Sequence, residues 1–400
     1  MVQLFVGRQY CIVELHGMGG PQGAGVQSTR EKTMDVFWRH LCWSLHWLMQ
    51  GLWPDVDPDG AAFPIGSDNW QKQRTPLADG WYAVLWLLKG DLEYFALTLG
   101  LEHYGASSPC FLCSANSSDA PWTECKPTAK WMSRMWGRHN WRLDVTTRNP
   151  IFHVEGISIT SVAPDVMHSK HLGTDAWFYG SVLQLMVKDI LSGTAETNLE
   201  QVWAEIKEQY RIQRTTTQFS SMKATMFSGG TGFPKLKGKA SEKRHIGKPL
   251  KVVFDAHMDS ANQQHRMVSL ALKFSIWIED ILDANTGNIT LPAEDHTRLV
   301  EATYAFLNLT VSLGNYYHPR GVLLFNYTIK FHYLLHIAIG SKRYNPRWAW
   351  CYSGEAFMQV MKKVVASCQS GTKAHLIGRK VLRKYADGLS FSLLGDEWWH

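Results

Sequence analysis

Two short patterns far apart in the chain constrain its fold more than any other feature. Cys110-x-x-Cys113 offers two thiolates at a spacing that a tetrahedral Zn²⁺ accepts. His332-x-x-x-His336 puts two imidazoles on one side of a helix. Either half alone is equally explained by packing, as a buried cysteine pair or as two histidines satisfied in an apolar stretch with Phe331, Leu334 and Leu335. Together they have the stoichiometry of one site, and a chain that forms it must fold back on itself across more than 200 residues. Cys125 is a rival third ligand with no fourth thiol near it.

The composition agrees with a metal rather than a disulfide framework. Seven cysteines in 400 residues is an odd count, irregularly spaced apart from the single C-x-x-C. Apolar residues are 45% and charged residues 19%, which excludes wholesale disorder and allows about two to four domains, or one core with large insertions. A net charge of +6 tolerates a polyanionic partner without demanding one. The apolar run Tyr82 to Leu88 is far too short to span a bilayer, so no membrane partner is expected. Arg8 and the lack of a small-residue cleavage pattern argue against a secretory signal.

Residues 1–30, with a Gly-rich run from Met18, read as a disordered leader. Helical periodicity runs from Thr33 to Leu52, followed by a turn-rich loop carrying Asp55, Asp57 and Asp59. Trp81 to Leu88 is a continuous apolar run of strand length, ended by Gly90-Asp91, and a short helix is expected over 92–99. Ile157 to Val162 is a second strand candidate, after which Asp165-Val-Met-His168 opens a helix through Met186. A further helix covers about 198–212. Residues 213–251 read as a Thr/Ser-rich and then Lys-rich loop, and helices are expected over 261–283, 292–313, 322–340 and 354–384.

Several residues carry chemistry in this frame. Asp91 at the end of a buried strand is placed to hold a metal or, more simply, to cap the helix after it. Asp165 and His168 fit a helix start with a histidine in its first turn. Glu355 lies in the first turn of an amphipathic helix, where it also suits the macrodipole. Lys235, Lys237, Lys239, Lys243 and Arg244 form a basic cluster that a phosphate backbone rewards by counterion release, or an ordinary solvated loop.

These pieces resemble a known order. Ala83 to Glu93, then Leu99-Gly-Leu, then Pro109-Cys-Phe-Leu-Cys113 is similar to the strand–GDLP, LxG and CxxC block of the CACTA (En/Spm) DNA transposases. Pro164-Asp-Val-Met-His168-Ser-Lys-His-Leu-Gly173 resembles their DxMHxxxLG block, and Lys330-Phe-His332-Tyr-Leu-Leu-His336 their KxHxxxH block. The same order occurs in the V(D)J recombination-activating recombinase, where the catalytic acid precedes the C-x-x-C by an interval like the 19 residues from Asp91 to Cys110. The likeness covers roughly 80–190 and 325–385, under half the chain.

The resemblance implies an α/β chain with an RNase H-like catalytic core, a large mainly helical insertion and a structural zinc site. Residues 31–190 would form the N-terminal part of the core, 191–320 the insertion with the Lys-rich loop, and 321–400 the C-terminal helices. It makes Asp91 the second acid, Glu355 the third and Asp165–His168 the D-x-x-H element, with Cys110, Cys113, His332 and His336 on structural Zn²⁺. The implied activity is metal-dependent phosphodiester cleavage and strand transfer on DNA, with Mg²⁺ or Mn²⁺, in the nucleus; a homo-oligomer is compatible with it. The sequence departs from the pattern upstream. The first acid should lie on an earlier strand, yet Asp55, Asp57 and Asp59 sit in a turn-rich loop. Either one of these acids serves, or the chain lacks the first strand and part of its metal site, so that an active recombinase and a truncated or inactive element are both open; the alternative is a non-catalytic, zinc-stapled DNA-binding protein derived from a transposon. A zinc-stapled helical interaction protein without any nucleic acid role is the third reading.

Overall fold

The structure, a computed structural model, describes residues 2–6, 13–15, 27–138, 141, 149–228 and 232–396. Strands β1 (Val2–Val6) and β2 (Val13–Leu15) precede helix α1 (Gln27–Gln50) and the short α2 (Asp68–Lys72). Then come β3 (Ala83–Gly90), α3 (Leu92–Leu97), β4 (Val162–Pro164), a π-helical segment over Met167–Thr174 and α4 (Asp175–Leu185). The rest is helical: α5 (Ala195–Ile212), α6 (Ala240–His257), α7 (Gln263–Ala284), α8 (Ala293–Tyr317), α9 (Ile329–Gly340), α10 (Tyr352–Gln369) and α11 (Ala374–Asp396).

The sheet is small, with order β2-β1-β3-β4; β1 runs antiparallel to β2 and β3, while β3 and β4 are parallel. The α/β expectation is met in part: the chain is mostly helical around a short parallel pair. Two strands occupy part of the segment expected as a disordered leader. Val2, Leu4, Phe5 and Val6 are β-formers, and β3 offers them an open edge. The Gly-rich run from Met18 lies outside the described residues.

The register pairs Leu88 with Val162 and Gly90 with Pro164. Asp91 and Asp165 therefore leave the same end of adjacent parallel strands, whose spacing is about 4.8 Å. Lys89, 1% exposed, donates from Nζ to the carbonyls of Trp348 and Trp350 at 3.4 and 3.1 Å. That ties the chain just before α10 to the end of β3.

One apolar core runs from α1 through α9 and includes Trp38, Phe95, Trp131, Phe178, Phe254, Phe306 and Leu335. The 31–190 and 191–320 segments share it. A separate small cluster of Met361, Cys368 and Val381 joins α10 to α11. The single helix expected over 354–384 is two, because Gly371 at φ 65° takes the left-handed turn that ends α10. Part of the expected Lys-rich loop is α6. Its Ile246, Leu250, Val253 and Phe254 are buried at helical spacing, and Glu242 accepts the Lys239 N–H at 2.7 Å.

Candidate metal centre

The Cys110-x-x-Cys113 turn is seated on α9 by Tyr333. Its hydroxyl donates to the Pro109 carbonyl at 3.0 Å and accepts the Phe111 N–H at 3.3 Å. Because His332 and His336 are one helical turn apart, both rings then face the two sulfurs. Cys110 Sγ lies 3.4 Å from His336 Nε2, Cys113 Sγ 3.3 Å from His332 Nε2, and the two Nε2 atoms are 3.0 Å apart. All four donor atoms fall within 4.8 Å of one another, and all four residues are buried.

The donor set fits a metal ion. A tetrahedron with Zn–S near 2.3 Å and Zn–N near 2.0 Å has S···N edges of about 3.5 Å and an N···N edge of about 3.3 Å. The observed edges are slightly shorter than these. Burial pulls the His332 pKa down to about 4, with His336 adding to the effect against the pull of Cys113, so the imidazole is neutral at pH 7 as a ligand requires. The Trp122 backbone lies beside His332 and favours its charged form, without completing a hydrogen bond to the buried Nδ1.

The two thiols share a proton unevenly. The hydrogen bond from Cys110 is the largest influence on Cys113 and, with His332 and His336, holds Cys113 far below the usual thiol range. Burial pushes the Cys110 thiol up, and the Cys113 charge adds to it. The Leu112 N–H donates to Cys110 Sγ at 3.3 Å. Trp131, fully buried, closes the site with its ring 4.5 Å from His332 and 5.2 Å from His336. Cys125 is buried outside this cluster.

The carboxylates expected to be catalytic have other work in this structure. Asp91 caps α3, its Oδ1 accepting the Tyr94 N–H at 2.6 Å. Asp165 is buried, and its carboxylate accepts four hydrogen bonds. Oδ1 takes the Met167 and Cys351 N–H groups, both at 3.0 Å; Oδ2 takes the His168 N–H at 2.9 Å and faces His168 Nδ1 at 2.6 Å. Burial disfavours the His168 imidazolium, but Asp165 and Asp91 outweigh it and raise its pKa above the ordinary value. Glu355 is the fourth residue of α10; its side chain lies outside the described residues. Upstream, Asp57 Oδ1 accepts the Asp59 and Ala61 N–H groups, Asp55 pairs with Arg74, and Asp59 pairs with Arg39. All three upstream acids are thus engaged by neighbours in the first 80 residues.

The basic cluster divides. Lys235, Lys237 and Lys239 are exposed, with Lys237 donating to the Thr225 carbonyl. Lys243 is 4% exposed. Arg244 turns inward onto Glu279 and Asp283 and stacks on Trp350. Arg244 is thus committed to the fold, not presented as the solvated loop charge the sequence suggested.

A second polar centre was not singled out from the sequence. Lys170 donates to Asp175 at 2.8 and 3.1 Å and to Ser275 at 3.0 Å, and pairs with Glu279 at 3.0 Å. His171 Nε2 lies 2.7 Å from Glu279 Oε1, and its Nδ1 lies 2.8 Å from the Tyr352 hydroxyl. His171, Asp175 and Glu279 are spaced for a cation, but the Lys170 ammonium already sits among them. Charged residues inside the apolar faces of the Asp165 block and α7 were the available signal.

Comparison with protein-family models, curated proteins and solved structures finds no match for this chain. Among the described residues, no helix is long and apolar enough to cross a membrane.

Proposed function

We propose that this chain is a DDE-type DNA recombinase derived from a CACTA-like transposase, with structural Zn²⁺ on Cys110, Cys113, His332 and His336. The observation that carries the reading is the meeting of motifs that lie far apart in sequence. Asp91 and Asp165 leave the same end of β3 and β4, and Asp165 holds the Cys351 N–H at the start of α10, the helix that bears Glu355. The D-x-x-H block is π-helical, a local distortion that often marks functional segments. In this reading β3 and β4 belong to an RNase H-like core and α5 to α8 to its insertion.

Mg²⁺ or Mn²⁺ held by Asp91 and Glu355 would activate water for attack on a phosphodiester and stabilise the leaving oxygen. His168, held by Asp165, orients a phosphate or a carboxylate. DNA is the partner, and the nucleus the compartment, that this chemistry calls for.

One observation favours the second reading, a non-catalytic zinc-stapled DNA-binding protein. Asp165 is fully committed to hydrogen bonds within the fold, and the upstream acids are paired in their own region. Two carboxylates supply little charge against the repulsion of two divalent ions. Incubation with transposon-end DNA in Mg²⁺ separates the readings. Nicking that is lost in Asp91→Ala supports the recombinase; binding without nicking supports the second reading; absence of binding removes both.

A further inference from the structure

We infer that Lys235, Lys243 and Lys330 form a phosphate-binding site over the Gly173–Trp177 turn. The inference deepens the DNA reading and rests on it only for the source of the phosphate. It also redistributes the basic cluster: two of its members join a lysine from α9, and Arg244 takes no part.

The backbone around Lys235 is fixed. The Lys235 N–H donates to the Phe227 carbonyl at 2.9 Å, and the Leu236 N–H donates to the Ala176 carbonyl in α4 at 2.7 Å. Lys235 Nζ then lies 4.9 Å over the Trp177 ring. Lys243 reaches the same place from α6, its Nζ donating to the Leu236 carbonyl at 3.5 Å. Lys330 arrives from α9 across Gly173, where an added Cβ would stand 2.8 Å from Lys330 Cδ. Gly173 is what lets this side chain cross the D-x-x-H segment.

Among the described residues, these three ammonium groups make no ion pair. Arg244 has Glu279 and Asp283, Lys248 has Asp280, and Lys251 has Asp255. Among the described residues, no carboxylate lies within ion-pair distance of Lys235, Lys243 or Lys330. Lys243 is the telling one: it is 96% buried by its 4% exposure, and its three N–H donors share a single long hydrogen bond.

The groups also repel one another. Burial is the main cause that lowers the Lys243 pKa to about 8, followed by Lys235 and, further down, Lys330, against the opposing pull of Asp175 and Glu242. A buried cation without a partner is costly, and three converging on one spot complement a multiply charged anion with several acceptor oxygens. Phosphate meets that description. Lys235 is exposed, Lys330 half-buried and Lys243 buried, so the site opens to solvent on the Lys235 side.

Binding of a short labelled duplex of arbitrary sequence, measured across a range of salt, tests the site. Lys235→Gln, Lys330→Gln and Lys243→Met are each expected to reduce the slope of log affinity against log salt by about one. Lys251→Gln, whose residue is paired with Asp255, leaves the slope unchanged. A duplex that binds with the wild-type slope in all three variants overturns the site and leaves the DNA reading standing. If the wild type binds no duplex, the DNA reading falls and inorganic phosphate decides the site. A phosphate-dependent rise in Tm that vanishes in the Lys235→Gln/Lys330→Gln double variant supports it, whereas equal rises in both proteins overturn it.

Discussion

Asp165 Oδ1 accepts the Cys351 N–H at 3.0 Å, so the residue that follows β4 anchors the start of α10 from 186 positions away. Together with Lys89 on the Trp348 and Trp350 carbonyls, this fixes where the Glu355-bearing helix begins. The D-x-x-H acid is in this structure an organiser of backbone.

Asp165→Ala should therefore cost stability first. It strands three backbone N–H groups and the His168 ring in a buried place, a loss of about 3–5 kcal/mol. Urea unfolding measures this. A variant with the wild-type midpoint and abolished cleavage would show instead that the carboxylate serves the chemistry.

One zinc per chain is expected by elemental analysis, lost in Cys113→Ser and in His336→Ala. Metal binding is coupled to folding, so each loss should lower stability by several kcal/mol, against apparent values of about 10–16 in small zinc peptides. Protein that is metal-free as purified and melts at the same temperature with and without added Zn²⁺ would remove the site.

The Glu279 network gives the chain an acid limit. Burial works against the Glu279 charge, but Lys170, His171 and Arg244 prevail and hold its pKa well below the usual value. A depressed folded pKa stabilises the fold above the unfolded value of about 4.3, and that stability drains as pH falls through the folded value. Glu279→Gln should lose about 3–5 kcal/mol at neutral pH, since it leaves Lys170 and Arg244 short of a counter-charge, and should show a flatter stability profile in acid. Denaturant midpoints at several pH values read both effects, and parallel profiles for the two proteins would refute them.

Lys243 also has a depressed folded pKa, but here the charged form is the one the fold disfavours. With its folded pKa near 8 and an unfolded value of about 10.4, the unfolded chain takes the proton first as pH falls, so stability rises from about pH 8 to about pH 10. Lys243→Met should raise the Tm at neutral pH and abolish that rise. A lower Tm would mean that the ammonium has a stabilising partner.

In the recombinase reading, Mg²⁺-dependent cleavage of transposon-end DNA falls to background in Asp91→Ala and in Glu355→Ala, whereas background cleavage by the wild type supports the non-catalytic reading. Neither Asp91→Ala nor Glu355→Ala should weaken duplex binding, because each removes an acid and none of the lysines of the proposed phosphate site. Robust nicking that either substitution abolishes would show that a further acid completes the metal site.

The meeting of the four Cys and His residues was legible because metal ligation demands scarce residue types at rigid spacings: Cys110-x-x-Cys113 and His332-x-x-x-His336 declare themselves against any apolar background. Strand β3 and the start of the Asp165 segment were equally readable from an apolar run and a helix opening. Helix α6 was not, since three lysines, Arg244, Gly247 and Pro249 blur the Ile246–Leu250–Phe254 stripe. The Lys170–Glu279 pair was hidden for a different reason. A buried ion pair between residues 109 positions apart leaves no local pattern, and its charges look like surface residues until the helices carrying them are packed. The parting of Lys243 and Arg244, adjacent in sequence yet facing different neighbours, has the same origin.

The metal centre also has a direction in time. Cys110 and Cys113 are synthesised long before His332 and His336, and at about 5–20 residues per second the delay between Cys113 and His332 is roughly 10–45 s. Over that interval a nascent chain carries two neighbouring thiols with half a coordination shell, free to oxidise or to bind the wrong ion. Closure waits until α9 has left the ribosome, so any stop before residue 336 yields a protein that cannot complete the site. A metal held by all four residues would therefore bind fully only to a chain translated past His336.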